Sequence, residues 1–193
     1  DINPIATMIA GTNLLVKHAR HDFIPNVYCM DFLQKESYNS RISNNIPPKF
    51  DNIYTNPPWG TDKESTYIKD FPEIKSKERS SMMIVESLKR LDDDGDFYFL
   101  LPTSLLKIKI HKDIRKYILS NATIRKIDLF TDRFDGVFTD YFSIRLSGVP
   151  TTHQEYDVTS GKGTAHISLS ASDKRAGNIA TKELSSTDIS IIQ

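Results

Sequence analysis

The sequence predicts an α/β fold in which helices cover both faces of a mostly parallel sheet. Short apolar segments alternate along the chain with segments whose apolar residues recur at helical spacing. The apolar segments are nearly continuous, which is typical of strands that are buried on both faces of a sheet. Two of them are closed by proline, which continues neither a strand ladder nor a helix.

The first expected elements are a helix and a short strand. Asn3-Pro4 combines a capping side chain with a proline at the first helical position, and helical spacing then extends to about residue 20. The apolar run 26–30 predicts a buried strand that contains Cys29, the single cysteine. One cysteine excludes an internal disulfide and a cysteine-rich zinc site. We therefore expect no metal centre, and a core thiol in a reducing cytoplasm.

The central part of the chain predicts a second series of strands and helices. We expect a strand over residues 50–54, a mobile polar loop over 60–79 and a helix over 82–91. A turn over residues 92–96 and a strand over 97–101 are expected next. A basic amphipathic helix and two strands follow, over residues 110–119, 123–130 and 141–146. A short connection around Gly136 joins the two strands, which predicts that the last strand of the sheet is antiparallel.

The character of the sequence changes from Val149 onward, where Ser, Thr, Gly and Lys become frequent. Two short segments, 156–158 and 166–169, flank Ser160-Gly161-Lys162-Gly163 and predict a surface hairpin. No predicted helix follows these glycines, so we interpret them as a turn and not as a phosphate-binding loop.

Composition and charge limit the classes of function. Hydrophobic residues make up 38% and charged residues 26% of the chain, as in an ordinary globular protein. No apolar run approaches the roughly 18–20 residues of a membrane span. The 25 basic and 25 acidic residues cancel, whereas modules that grip nucleic acid alone are usually basic. Neutrality argues against a main nucleic-acid-holding module, but not against chemistry on a base that another part holds.

The tetrapeptide Asn56-Pro57-Pro58-Trp59, called the NPPW motif below, follows a predicted strand. The Asn56 side-chain oxygen and the Pro57 carbonyl can accept the two hydrogens of a planar amine, which directs its lone pair toward an incoming methyl group. The prolines preorganise both acceptors. Trp59 offers a flat face on which an extruded base stacks, worth about 1–3 kcal/mol. The alternative is an ordinary turn, because Asn-Pro and Pro-Pro are frequent turn formers.

Residues 50–60 (FDNIYTNPPWG) resemble the catalytic motif of the amino-methyltransferases, and the flanking segments follow the order of the gamma class. Residues 97–106 (FYFLLPTSLL) resemble the fifth-strand motif, and residues 135–146 (DGVFTDYFSIRL) resemble the late motif beside the target base. The resemblance covers about residues 1–148. It implies a Rossmann-like methyltransferase sheet. It also implies S-adenosylmethionine-dependent methylation of adenine N6 in DNA, with the base flipped into the site, as part of restriction-modification.

The same resemblance assigns cofactor and target-base residues. Asp1 matches the carboxylate that binds the cofactor ribose hydroxyls, and Ile2 matches the residue that packs against the cofactor adenine. Asp31 matches the acceptor of the adenine amino group, and Phe32 lines the same pocket. Phe138 matches the aromatic residue that flanks the flipped target adenine.

Each assignment has a structural alternative. Asp1 is alternatively a disordered chain end, Asp31 a turn residue and Phe138 a core side chain. A run of basic residues either meets phosphates or forms a solvated helix face, and the solvated face is favoured: Lys107, Lys109, His111, Lys112, Arg115 and Lys116.

Two parts of the family's pattern have no counterpart in the sequence. No glycine-rich turn precedes Asp1, so the N-terminal part of the fold is expected to be missing. No target-recognition domain follows either. We therefore assign residues 1–148 to a partial methyltransferase catalytic domain and residues 149–193 to a hairpin-containing extension. We expect this segment alone to bind S-adenosylmethionine weakly or not at all, and to be inactive.

Three functions are compatible with the sequence. The favoured one is methylation of adenine in double-stranded DNA, beside a specificity or restriction subunit or domain. The same tetrapeptide also suits methylation of RNA adenine or of a protein glutamine, since each presents an NH2 on a planar group. A non-catalytic scaffold or DNA-binding module is favoured by the absent glycine loop and opposed by the intact NPPW motif.

Overall fold

The computed structural model describes residues 1–20, 22, 24–34, 46–61, 66–130 and 139–179. Contacts divide the chain into two compact units, Asp1–Pro47 and Pro48–Gln193. Among the described residues, no helix has the length and apolar character needed to cross a membrane.

The first unit contains helix α1, Pro4–Lys17. Asn3 caps this helix, because its side-chain oxygen accepts from the backbone N–H groups of Ile5 and Ala6 at 2.9 and 3.3 Å. The predicted helix start is therefore confirmed, with proline at the first helical position. The helix ends at Lys17, a turn earlier than the spacing predicted, and residues 18–20 form a turn.

The predicted strand 26–30 is wrong as a regular strand. The N-terminus of Asp1 donates to the Tyr28 carbonyl at 3.4 Å, and the Met30 N–H donates to the Asp1 carbonyl at 2.9 Å. These two bonds are one step of a parallel ladder. No second step continues this ladder among the described residues of the unit. The apolar run therefore does not form the buried sheet strand that its pattern predicted. For the same reason Cys29 is exposed instead of lying in a core.

The second unit is built on a six-stranded sheet in the order β1-β2-β4-β3-β5-β6. In chain order its strands are Phe50–Thr55, Leu91–Pro102, Thr123–Phe130, Tyr141–Ser147, Gln154–Ser160 and Gly163–Leu169. The pairings place β1, β2, β3 and β5 in one direction and β4 and β6 in the other. The predicted α/β fold is confirmed, with a mostly parallel sheet and an antiparallel strand at Tyr141–Ser147.

Four helices belong to the described part of this unit. They are α2 (Arg79–Arg90), α3 (Ser104–Lys107), α4 (Lys112–Asn121) and α5 (Ala171–Ala176), with 3-10 turns at Thr66–Asp70 and Lys109–His111. Helices α2 and α4 contact each other, and they pack on β2 and β3 respectively. The core between helices and sheet includes Ile84, Ile118, Phe97 and Phe142, all without exposed surface. Burial of such side chains stabilises the fold by about 1.5–3 kcal/mol each.

Two segments that were predicted to be irregular are better ordered than expected. The predicted turn 92–96 is wrong, because β2 begins at Leu91 and residues 92–94 expose their carboxylates along it. A register irregularity between Phe50 and Asn52 of β1 accommodates the additional residues. The predicted mobile loop 60–79 is wrong for its later part, since Phe71 and Ile74 are 1% and 4% exposed. Residues 62–65 lie outside the described part of the chain.

Strands β5 and β6 form the predicted hairpin, in which Ser160 pairs with Gly163. The interpretation of Gly161-Lys162 as a turn is confirmed. Strand β5 also pairs in parallel with β3, so the hairpin continues the main sheet. The division of the chain at residue 148 stays a prediction.

Arg115 of α4 connects three parts of the second unit. Its side chain is buried, and its guanidinium donates to the carbonyls of Leu105, Ile108 and Gly177 at 2.7, 2.8 and 2.8 Å. Burial lowers the pKa of Arg115 from its usual range. The hydrogen bonds tie α3, the following 3-10 turn and the end of α5 to α4.

Candidate active site

The NPPW motif leaves the sheet at the end of β1. Thr55, the last residue of that strand, pairs with Phe99 of the parallel strand β2. Ligands bind at the carboxyl ends of strands in open α/β sheets. Pro57 and Pro58 end the ladder here because neither has a backbone N–H to donate. The fold therefore presents the motif at the edge where chemistry is expected.

The four residues of the motif differ in exposure. Asn56 and Pro58 are exposed, Pro57 is buried and Trp59 is half-buried. The Trp59 Nε1–H donates to the Leu100 carbonyl of β2 at 3.3 Å, which fixes the indole against the sheet. The Asn56 side chain has no hydrogen bond to another described residue, so its oxygen is available to a ligand.

An aromatic and charged cluster supports the strand that leads into the motif. Tyr54 stacks on Tyr98 of β2 with ring centroids 4.7 Å apart and an interplanar angle of 8°. The Arg145 guanidinium of β4 lies 5.3 Å from the Tyr98 ring centroid and donates to the Asp96 carboxylate at 2.6 and 3.0 Å. The bidentate bond to Arg145 lowers the pKa of Asp96. Strands β1, β2 and β4 are thus joined two residues before Asn56.

Glu78 and Arg79 hold the other end of the motif. The Gly60 N–H donates to Glu78 Oε2 at 3.2 Å, and the Gly60 carbonyl accepts from the Arg79 N–H at 3.2 Å. Thr61 and Glu78 form an isolated antiparallel bridge. Gly60 has a φ of +113°, which favours glycine because a side chain is strained there.

Gly60→Ala is expected to lower the free energy of unfolding by about 1–3 kcal/mol, because alanine is strained at this φ. Space is not the cause, since a Cβ at Gly60 would meet no atom within 4 Å. Urea denaturation followed by circular dichroism measures the change. Gly11→Ala is the matched control: Gly11 lies in α1, where alanine raises stability by up to about 1 kcal/mol. A Gly60→Ala variant as stable as wild type would contradict the expectation.

Two candidate cofactor carboxylates lie in the first unit. Asp1 Oδ1 accepts from the Asn3 N–H at 2.8 Å, and Asp31 Oδ1 accepts from the Leu33 N–H at 2.9 Å. In the single ladder step described above, Asp1 pairs with Cys29. Asp31 lies two residues after Cys29 in the chain. The two carboxylates therefore belong to neighbouring segments of this unit. Each keeps its second oxygen without a hydrogen bond to the described residues.

The two apolar residues that were predicted to contact the cofactor, Ile2 and Phe32, are accessible. Ile2 is 62% exposed and Phe32 is half-buried, so both can contact a ligand. Carboxylate oxygens suit ribose hydroxyls and an adenine amino group, and the two apolar side chains suit the flat faces of adenine. The residues present in this unit fit the adenosine part of S-adenosylmethionine.

The remaining candidates have different outcomes. Phe138 lies outside the described residues. Lys107, Lys109 and Lys116 are exposed, in keeping with a solvated face. The prediction is wrong for Arg115 and His111, each 6% exposed, because the first bonds three carbonyls and the second faces the core. A basic residue type alone does not distinguish a buried guanidinium from a solvated one.

A family model supplies the identification. The Eco57I restriction-modification methylase family matches residues 1–138. The chain belongs to this family. Type II methyltransferase M.VspI of Vibrio sp. (strain 343) is 29% identical to this chain over 199 residues, which cover 100% of the chain and 46% of M.VspI. The chain thus spans about half the length of that relative.

Solved structures resemble this chain in fold. A modification subunit of a putative type I restriction enzyme from Vibrio vulnificus YJ016 has a TM-score of 0.68 at 14% identity, covering 87% of this chain and 42% of that chain. A component of a type I R-M system, solved in a study of its complex assembly and conformational transition, has a TM-score of 0.71 at 13% identity. It covers 100% of this chain and 49% of that chain. The fold of this chain is therefore shared with proteins of type I restriction-modification systems.

Sequence reasoning did not identify Glu78 or Arg145. Glu78 lies in the predicted loop 60–79, and its contact with Gly60 joins residues 18 positions apart. Arg145 lies in a predicted strand, and its partner Asp96 is 49 positions away. No local pattern marked Glu78, because the predicted helix begins four residues later, at residue 82.

Proposed function

We propose that the protein containing this chain methylates the N6 amino group of adenine in double-stranded DNA, with the target base rotated out of the helix. The observation that carries the proposal is the NPPW motif itself. Asn56 is exposed, its side chain makes no hydrogen bond to the other described residues, and it stands beside a buried Pro57 and a Trp59 that is hydrogen-bonded to β2. This arrangement is suited to a planar amine, which presents two hydrogens and a flat face.

Asn56 and Pro57 act by accepting the two amine hydrogens. Loss of conjugation with the ring then leaves the nitrogen lone pair free to react. Because Pro57 is buried and Trp59 is hydrogen-bonded to β2, the acceptors need little reorganisation when the base arrives. Trp59 stacks on the base, and Phe138 is proposed as its second aromatic neighbour on the resemblance alone.

S-adenosylmethionine supplies an electrophilic methyl group when bound. Asp1 would accept from its ribose hydroxyls and Asp31 from its adenine amino group, through the carboxylate oxygens that are not engaged by Asn3 and Leu33. Ile2 and Phe32 would exclude water from the adenine faces.

The proposed partners are double-stranded DNA and a specificity or restriction subunit or domain. The chain has zero net charge, so neutralisation of DNA phosphates would come mainly from other parts of the assembly. The family is one of restriction-modification methylases, and one structural neighbour comes from a study of type I R-M complex assembly. Both support the proposal.

The test is methyl transfer by the full-length protein from tritiated S-adenosylmethionine to unmethylated DNA, RNA and protein. We expect label in DNA, and N6-methyladenine after digestion to nucleosides. Label in RNA or in protein glutamine would show that the proposed DNA substrate is wrong. No transfer to any of the three would favour a scaffold function.

A further inference from the structure

The contact between Glu78 and Gly60 has no part in the chemistry proposed above. We propose that Glu78 is a positioning residue for the NPPW motif. Its carboxylate holds Gly60, and through Gly60 it fixes Trp59 and Asn56 in the arrangement that receives the amine. The catalytic part of this inference rests on the proposed function, whereas the fixing of the motif is independent of it.

Both hydrogen-bonding groups of Gly60 are engaged by consecutive residues. Its N–H donates to Glu78 Oε2, and its carbonyl accepts from the Arg79 N–H, each at 3.2 Å. A hydrogen bond to a carboxylate is about twice as strong as one between neutral groups. Together with the hydrogen bond from Trp59 to Leu100, these contacts fix the motif on two sides.

Glu78 occupies a helix-capping position without capping the helix. It precedes α2 in extended conformation, and its side chain makes no hydrogen bond to that helix. The carboxylate still gains from the partial positive charge at the start of α2. Its hydrogen bond, however, goes to the motif 18 residues earlier in the chain. The hydrogen bond to the motif therefore explains a glutamate at this position better than capping of α2 does.

Unusual backbone geometry lies on both sides of the contact. Gly60 has a φ of +113°, and Lys77, directly before Glu78, has a φ of 54°. A non-glycine residue in this region costs about 1–3 kcal/mol and persists only where its surroundings determine it. Lys77 adopts the strained conformation at the point where the chain must bring Glu78 to Gly60.

The negative charge of Glu78 also acts on the buried start of α4. His111 is 6% exposed, and its Nδ1 has no hydrogen-bond partner within the described part of the chain. Burial lowers the pKa of His111, and the negative charge of Glu78 acts in the opposite direction.

Trp59 provides a direct probe, because it is the one tryptophan of the 193 residues. In the isolated chain, Glu78→Ala is expected to red-shift Trp59 emission and to raise its acrylamide quenching about twofold, since the released loop opens locally. Glu78→Gln keeps an acceptor for the Gly60 N–H and should show a smaller change. Glu73→Ala is the matched control, because the one ion pair of Glu73 with another described residue is a 4.0 Å surface contact with Lys89.

Activity provides the second readout, in the full-length protein. Glu78→Ala is expected to lower kcat about 100-fold, because small misplacements of reacting groups cost that much. The KM for S-adenosylmethionine should stay within about threefold of wild type. Glu78→Gln should recover much of the kcat, and Glu73→Ala should match wild type.

Unchanged Trp59 emission and quenching in Glu78→Ala would overturn the inference, and so would an unchanged kcat. A Glu78→Ala chain that fails to fold would also overturn it, because Glu78 would then be a general structural residue. If wild type methylates no DNA but the fluorescence changes as expected, the proposed function fails and the positioning contact stands.

Discussion

Asn56→Ala in the full-length protein is expected to abolish measurable methyl transfer while leaving S-adenosylmethionine binding unchanged. Losing one preorganised hydrogen-bonding group at a reacting centre costs about 10²–10³ in rate. We expect the loss of rate in Asn56→Ala to lie at the upper end of this range, because Asn56 supplies one of only two proposed acceptors for the amine hydrogens. The carboxylates proposed for the cofactor, Asp1 and Asp31, belong to a different unit of the chain.

The measurement combines single-turnover methylation with isothermal titration of S-adenosylmethionine. Asn52→Ala is the matched control, since Asn52 is also exposed and lies on β1 four residues earlier. It should methylate at the wild-type rate. Loss of cofactor binding together with activity in Asn56→Ala would mean that Asn56 is structural, and the amine-acceptor role would be abandoned.

Arg115→Met is expected to produce the largest loss of stability. It removes hydrogen bonds to three buried or partly buried carbonyls while keeping the apolar stem. Each hydrogen bond to a charged group contributes about 1.5–3 kcal/mol, and the desolvation of the guanidinium offsets part of the sum. We expect unfolding to require about 3–5 kcal/mol less.

Thermal unfolding of the chain tests this expectation, with a fall in melting temperature of about 10 °C for a protein of this size. Arg125→Met provides the control, because Arg125 is exposed on β3. Its melting temperature should change by no more than about 2 °C. If both variants melt alike, the three hydrogen bonds of Arg115 contribute little to stability.

The parts of the fold that were predicted correctly depend on local chemistry. The Asn3-Pro4 cap needs only neighbouring residues, and the end of β1 is set by prolines that cannot continue a ladder. The NPPW motif was located for the same reason. Its chemistry was inferred from groups that lie within four consecutive residues.

The errors arose where the outcome depends on distant residues. The segment 26–30 has a strand-like pattern but one ladder step, at Asp1, among the described residues. Arg115 resembles a solvated basic residue until the carbonyl of Gly177, 62 positions away, is placed beside it. Glu78 was missed for the same reason, because a single sequence does not record which backbone amide a carboxylate reaches.

The position of β4 between β2 and β3 has a consequence for biosynthesis. During translation, β1, β2 and β3 all emerge before Tyr141–Ser147, yet in the sheet β2 and β3 each pair with that later strand and not with each other. Their inner edges would stay unpaired until β4 is made. Unpaired strand edges are templates for association with other chains. Slow or stalled synthesis between residues 130 and 141 should therefore favour capture by chaperones or aggregation of the nascent chain.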